Sequence, residues 1–175
     1  RRTPHNTFLL DGTEYHTTGQ VRLRAAPYTR IKDSGEHVSE FSTHEGKRFA
    51  IVLDPSSLKF KLTVGGRSSL FLYHVLKALQ VPDNDIAAAW GSNIYKVNTS
   101  PVTPAIMRNI YTQFVKGRYD GVPESDEDVA LGIIEYFNTR ADIDPEATKI
   151  TLGKAASTVD GSVLLLASSK LIDLH

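Results

Sequence analysis

Phe49-Ala50-Ile51-Val52-Leu53-Asp54-Pro55-Ser56-Ser57-Leu58-Lys59-Phe60-Lys61-Leu62-Thr63-Val64-Gly65-Gly66 is the stretch that decides the fold class. An apolar run reaches Asp54-Pro55-Ser56-Ser57, a composition that makes turns. Beyond it Leu58, Phe60, Leu62 and Val64 alternate with Lys59, Lys61 and Thr63. Side chains on a strand point alternately to opposite faces, so this half of the hairpin has one buried and one wet face. Gly65-Gly66 closes it.

Toward the N-terminus the pattern remains strand-like. Thr7-Phe8-Leu9-Leu10 and Thr13-Glu14-Tyr15 flank Asp11-Gly12, and Asp-Gly between β-prone runs predicts a two-residue hairpin. Gln20-Val21-Arg22-Leu23-Arg24 alternates apolar and basic residues. As a strand it would carry Arg22 and Arg24 on one face, ~6–7 Å apart.

Toward the C-terminus the period changes to that of helices. Ser68 or Ser69 is placed to cap a helix running to about Gln80, ended by Pro82. Asp83 would cap a short helix from Asn84 to Trp90, stopped by Gly91. Thr103-Pro104, Ser125 with Glu127 and Asp128, Asp144-Pro145 and Asp160 each read as the start of a further helix. Strands first and helices after predict an α+β fold, with N-terminal antiparallel hairpins followed by a helical part. The short connections predict one compact unit.

The chain has 175 residues, of which 41% are hydrophobic and 23% charged, an ordinary balance for a folded globular chain. It contains no cysteine, which excludes disulfides, thiolate metal sites and a cysteine nucleophile. No apolar run approaches the ~20 residues of a bilayer-spanning helix, so no membrane partner is expected. The opening Arg1-Arg2-Thr3-Pro4 lacks both an initiator methionine and a signal-peptide core, and we read the chain as a piece of a longer polypeptide.

Chemistry-bearing motifs are scarce. Phosphate loops, dinucleotide-binding glycine patterns and the nucleophile elbow do not occur. His37 and His44 have no cysteine or acid cluster beside them, so no metal site is expected. The acids of Ser125-Asp126-Glu127-Asp128 fit a helix N-terminus, where the dipole favours them without a cation. Asn98-Thr99-Ser100 matches a glycosylation sequon but has no secretory signal with it. No catalytic residue is assigned.

The net charge of zero conceals an asymmetry. Residues 1–80 hold 12 Lys+Arg against 7 Asp+Glu, a net of +5; residues 81–175 hold 8 against 13, a net of −5. Such a split points to one face for a polyanion and another for solvent or a protein. Arg22, Arg24, Arg30 and Lys32 are the leading candidates for nucleic-acid contact, with Lys59, Lys61 and Arg67 behind them.

A resemblance sharpens this expectation. Thr7 to Glu14, then Gln20-Val21, Arg24 and Tyr28 resemble the segment F-I-I-N-G-T-E-R-V-x-V-S-Q-L-x-R-S-P-G-V-Y of the beta (second-largest) subunit of multisubunit DNA-directed RNA polymerases. Leu53-Asp54-Pro55 with the strand to Val64 is similar to that subunit's F-D-P…V-R-I-D stretch. Ser69 to Leu79, followed by Asp83-Asn84-Asp85-Ile86, is similar to its K-L-P-x-T-x-L-L-R-A-L-G-x-x-D-E-E-I. The order and spacing agree across residues 7–91, and the first motif is the specific one. Tyr15-His16 replaces the family's Arg-Val, Ala25-Ala26-Pro27 its Ser-Pro-Gly-Val, and Gly65-Gly66-Arg67 a longer basic loop. These departures look like a phage or other viral subunit, working in host cytoplasm or carried in a virion.

The resemblance implies that residues 1–32 are strands joining the subunit's protrusion and lobe, and that 33–175 are the lobe. Residues 92–175 would be its divergent helical remainder. In that family the lobe lines the DNA cleft, so DNA, the RNA–DNA hybrid and other polymerase subunits are the implied partners. Gln20 matches a glutamine of the family's first motif and joins the candidate nucleic-acid contacts. Mg2+ belongs to the whole polymerase and none to this piece, since the N-A-D-F-D-G-D signature does not occur in this chain. Two other readings compete: a non-catalytic interaction module whose acidic helices bind another subunit, and a small metal-dependent hydrolase using the acids near Ser125.

Overall fold

Phe49 stands opposite Val64, Ile51 opposite Leu62 and Leu53 opposite Phe60, and all six side chains are buried. The deciding hairpin is therefore built as its alternation requires. A computed structural model describes residues 8–10, 13–15, 23–44, 46–66, 68–117 and 120–174. Strands β1 (Phe8–Leu10) and β2 (Thr13–Tyr15) pair antiparallel with Leu10 opposite Thr13; the expected Asp11-Gly12 turn lies outside the described residues. Strands β3 (Pro27–Ile31), β4 (His37–Phe41), β5 (Phe49–Asp54), β6 (Lys59–Val64) and β7 (Ser68–Phe71) form an antiparallel sheet in sequence order. Helices α1 (Leu72–Ala78), α2 (Asp83–Asn98), α3 (Pro104–Phe114), α4 (Asp126–Thr139), α5 (Pro145–Leu152) and α6 (Gly161–Ile172) follow. The protein is α+β: a five-stranded antiparallel sheet, then six helices.

Two sequence expectations are corrected. Ser68 and Ser69 do not cap a helix; they lie in β7, with Ser68 opposite Val64 and Leu70 opposite Leu62. After the Gly65-Gly66 turn, the free edge of β6 offers ladder hydrogen bonds, and the chain takes them before turning helical at Leu72. The predicted strand over Gln20–Arg24 fails in its described part. Leu23 and Arg24 lie outside any strand, and the buried Ala25 offers its carbonyl to the Asp144 amide at 2.6 Å. The local backbone is tied to a helix start instead of a ladder. Strand β3 falls inside residues 1–32, which the resemblance made strands, whereas β4 lies where no strand is expected from the sequence.

Four helix starts are as read. Thr103, Ser125, Asp144 and Asp160 each accept a backbone N–H of the first turn, and Pro104 and Pro145 occupy the first helical position. The α2 expectation is half right. Asp83 is inside the helix rather than its cap, whereas Gly91, with non-helical φ and ψ, does stop the first helical stretch, and a second stretch follows it within α2. The Gly91 φ of 76° and ψ of 159° belong to a region that only glycine adopts without strain. A β-carbon there would meet nothing within 4 Å, so any penalty for replacing it comes from the backbone alone. Gly91→Ala should lower stability by about 1–3 kcal/mol. Urea unfolding would show this as a lower midpoint at constant slope, and an unmoved midpoint would refute it.

The helices cover one face of the sheet. Phe60 lies 4.8 Å from Trp90, ring to ring, and the Trp90 indole N–H donates to Ser168 Oγ at 2.7 Å. At the other end of the sheet Phe41 stacks on Phe49, and Phe49 meets Phe114 and Phe137 edge-on. Helices α3 and α4 approach closely at Gly132, where a β-carbon would stand 2.6 Å from the Tyr111 ring.

Candidate nucleic-acid interface

The covered face of the sheet carries His37, Ser39, Phe41, Phe49, Ile51, Leu53, Phe60, Leu62 and Val64. By strand parity the opposite face carries Arg30, Val38, Glu40, Ala50, Val52, Asp54, Lys59, Lys61 and Thr63. On that outward face Val38 and Val52 are themselves buried, whereas Lys59 and Lys61 are exposed. The outward sheet is thus wet and cationic toward β6. A concavity of about 1220 Å³ also opens over this side, with Arg24, Tyr28, Val52 and Arg48 among its walls.

The candidate cations divide by their partners. Arg24 is exposed and bonded to Glu146 at 3.0 Å, with Asp144 at 3.7 Å. The Glu146 hydrogen bond, then the charge of Asp144, holds its pKa above the ordinary guanidinium value. Arg30 reaches across to Glu40 at 2.6 Å, and that hydrogen bond likewise raises its pKa. Lys32 meets Glu36 at 3.0 Å within the β3–β4 turn. Exposed pairs of this kind add little to stability, but each sets a carboxylate beside the cation where a phosphate would bind. Lys59 and Lys61 make no ion pair among the described residues. Gln20, Arg22 and Arg67 lie outside the described residues.

Arg48 was not among the sequence candidates. It precedes β5, its carbonyl accepts the Gly65 N–H at 3.0 Å, and its side chain is exposed. Its neighbour Lys47 is committed elsewhere: the ammonium donates to the carbonyls of Gln113 and Lys116 at the end of α3, and burial lowers its pKa. Only the pair Lys47-Arg48 was visible in the sequence; the ladder shows which of the two remains available.

The β5–β6 turn is held from both sides. Asp54 accepts from the Ser56 amide at 2.9 Å, the Ser56 hydroxyl at 2.7 Å and the Ser57 hydroxyl at 2.7 Å. These bonds, Ser56 first, lower its pKa to about 2, so the carboxylate stays charged near Lys59. From the helical side Asn98 accepts the Phe60 N–H at 2.7 Å and donates to the carbonyls of Leu58 and Ile94 at 2.8 Å. The sequon asparagine is therefore buried and fully bonded.

No protein-family model and no curated protein matches this chain.

Much of the acid of the second half gathers on α4 and the loop before it, at Asp120, Glu124, Asp126, Glu127, Asp128 and Glu135. Arg108 closes that loop through Asp126 at 2.7 Å and the Pro123 carbonyl at 2.9 Å. Glu124, Glu127, Asp128 and Glu135 are exposed and make no ion pair among the described residues, and Leu131 is 58% exposed between them. Among the described residues no three His, Cys, Asp or Glu side chains form a group able to hold a metal ion. His37 and His44 sit near opposite ends of β4, and the buried His37 ring bonds the Leu171 carbonyl at 3.0 Å. No described helix is long and apolar enough to cross a membrane.

His74 is buried against the Phe71 and Tyr73 rings with Nε2 2.7 Å from Ser100 Oγ. Burial lowers its pKa below that of a free imidazole. Below about pH 6.5 the unfolded chain therefore takes up a proton that the folded chain refuses. Stability contributed by neutral His74 is present above that pH and falls as pH drops toward the depressed folded value. Urea unfolding at pH 7.5 and 5.5 should show the wild type losing more stability than His74→Gln. Equal losses in the two proteins would refute this assignment.

Proposed function

We propose that this chain is the lobe-bearing segment of a DNA-directed RNA polymerase beta subunit and that it helps hold nucleic acid in the transcription cleft. The observation that carries this reading is the recurrence, in order, of three stretches of family-like sequence. The described residues of Thr7 to Glu14 fall on β1 and β2, Leu53 to Val64 on the β5–β6 hairpin, and Ser69 to Leu79 on β7 and α1. Exposed basic side chains on a rigid sheet support it, since neutralising phosphates releases counterions and draws nucleic acid in without reading sequence. In such an enzyme the bond-forming aspartates and their Mg2+ reside in the largest subunit. This chain would position the template and leave nucleotide addition to others.

The test uses the full polypeptide that contains this chain. Purified from its own cells through an affinity tag, it should bring down an assembly that incorporates ribonucleotides on a DNA template. A pure assembly that makes no transcript overturns the reading. A second reading is favoured by the unpaired acids around Leu131 on α4: an interaction module for a basic partner. It predicts that a partner is retained by the intact protein and lost when residues 120–146 are deleted.

A further inference from the structure

We propose that the outward face of the β5–β6 hairpin, through Arg48, Lys61 and Lys59, is where this chain grips a phosphodiester backbone. The inference rests on the nucleic-acid reading above and narrows it to one surface. Sequence order favoured the cations at 22–32, yet among those described, Arg24, Arg30 and Lys32 each have a carboxylate within 3.0 Å. A phosphate arriving there competes with an anion already in place. Arg48, Lys59 and Lys61 are exposed and have no such partner among the described residues.

The geometry of the hairpin spaces these three charges. Lys59 and Lys61 are two positions apart on one strand and share a face, so their stems stand about 7 Å apart. Arg48 is joined to Gly65, four positions beyond Lys61, which adds about 13 Å along the same direction. The row therefore spans roughly 20 Å, the length of several backbone phosphates. It is a stiff row. Phe60, Leu62 and Val64 are buried between and beyond the lysines, and Asn98 and the Asp54 carboxylate pin the turn. Beside Arg48 the Gly65-Gly66 turn has positive φ at both residues, and an added β-carbon at either would meet no atom within 4 Å. Neither glycine carries a β-carbon that would hold a backbone phosphate away from that turn.

Charge elsewhere sets the orientation. Asp54 remains ionised at the Lys59 end of the row, which limits the grip there. The exposed acids Glu124, Glu127, Asp128 and Glu135 belong to the α4 region. A polyanion is repelled from that region and drawn to the outward sheet.

The test measures binding of a fluorescent DNA duplex to the 175-residue chain over a range of salt. It compares the wild type with Arg48→Gln/Lys59→Gln/Lys61→Gln and with Arg24→Gln/Arg30→Gln. All three substitutions of the first variant are at exposed positions, and an unchanged thermal midpoint would certify its fold. The slope of log K against log salt should become shallower by about 0.9 for each hairpin cation removed, and by clearly less than that per cation removed in the second variant. A wild-type slope in the hairpin variant overturns the inference while leaving the polymerase reading to the transcript assay. A wild type that fails to bind DNA in a salt-dependent way also overturns it. Polyglutamate held as tightly as DNA overturns it too, in favour of an acidic protein partner.

Discussion

Phe60→Ala should destabilise the protein by about 3–5 kcal/mol, the range for truncating a fully buried aromatic. Phe60 is wholly buried, and its ring lies 4.8 Å from Trp90. The cavity left behind will not collapse readily. Trp90 is pinned by its bond to Ser168 on α6 and cannot swing into the space, and the floor is a strand of the sheet itself. The thermal midpoint should fall by roughly 6–20 °C at 2–4 °C per kcal/mol. Phe60→Leu, which refills most of the volume, should recover much of that loss. A shift of a degree or two in the alanine variant would show that the Phe60–Trp90 contact is not central to the core.

Asn98→Leu should have the next largest effect. It removes three hydrogen bonds at once and leaves the Phe60 N–H and the Leu58 carbonyl without their partner, at about 1–3 kcal/mol for each orphaned buried group. Leu58 has a φ of 55°, a conformation that favours glycine, and Asn98 is what clasps its carbonyl. Asn98→Asp separates the two halves of the interaction. It keeps an acceptor for the Phe60 N–H but turns a carboxylate toward the carbonyls of Leu58 and Ile94. Its urea midpoint should also be well below wild type, and Lys59 amide exchange should accelerate in both variants as the turn loosens. Wild-type exchange at Lys59 in the leucine variant would show that the turn holds itself.

What the sequence disclosed follows from where each pattern gets its physics. The β5–β6 hairpin was legible because Phe60, Leu62 and Val64 alternate with Lys59 and Lys61 without exception. The α3, α4, α5 and α6 starts were legible because their caps are local. Strand β4 was not, because the polar His37 and Ser39 face the core while Val38 faces outward, yet all three are buried. Burial on both faces removes the alternation that marks a strand. The pairing of Arg24 with Glu146 joins residues 122 positions apart, and no periodicity reports a contact of that range. Lys59 and Lys61 could be picked out from their alternation. Arg48 could not, because its release depends on Lys47 turning the other way, toward α3.

The placement of α6 has a consequence for how the chain is made. Helix α6 is the last element in order, yet it packs on β3, β4 and β5, and its Leu171 carbonyl bonds His37. At roughly 5–20 residues per second on the ribosome, the central strands emerge seconds before the helix that roofs them. Through that interval a greasy surface waits open, and a nascent-chain chaperone has a defined window in which to shield it.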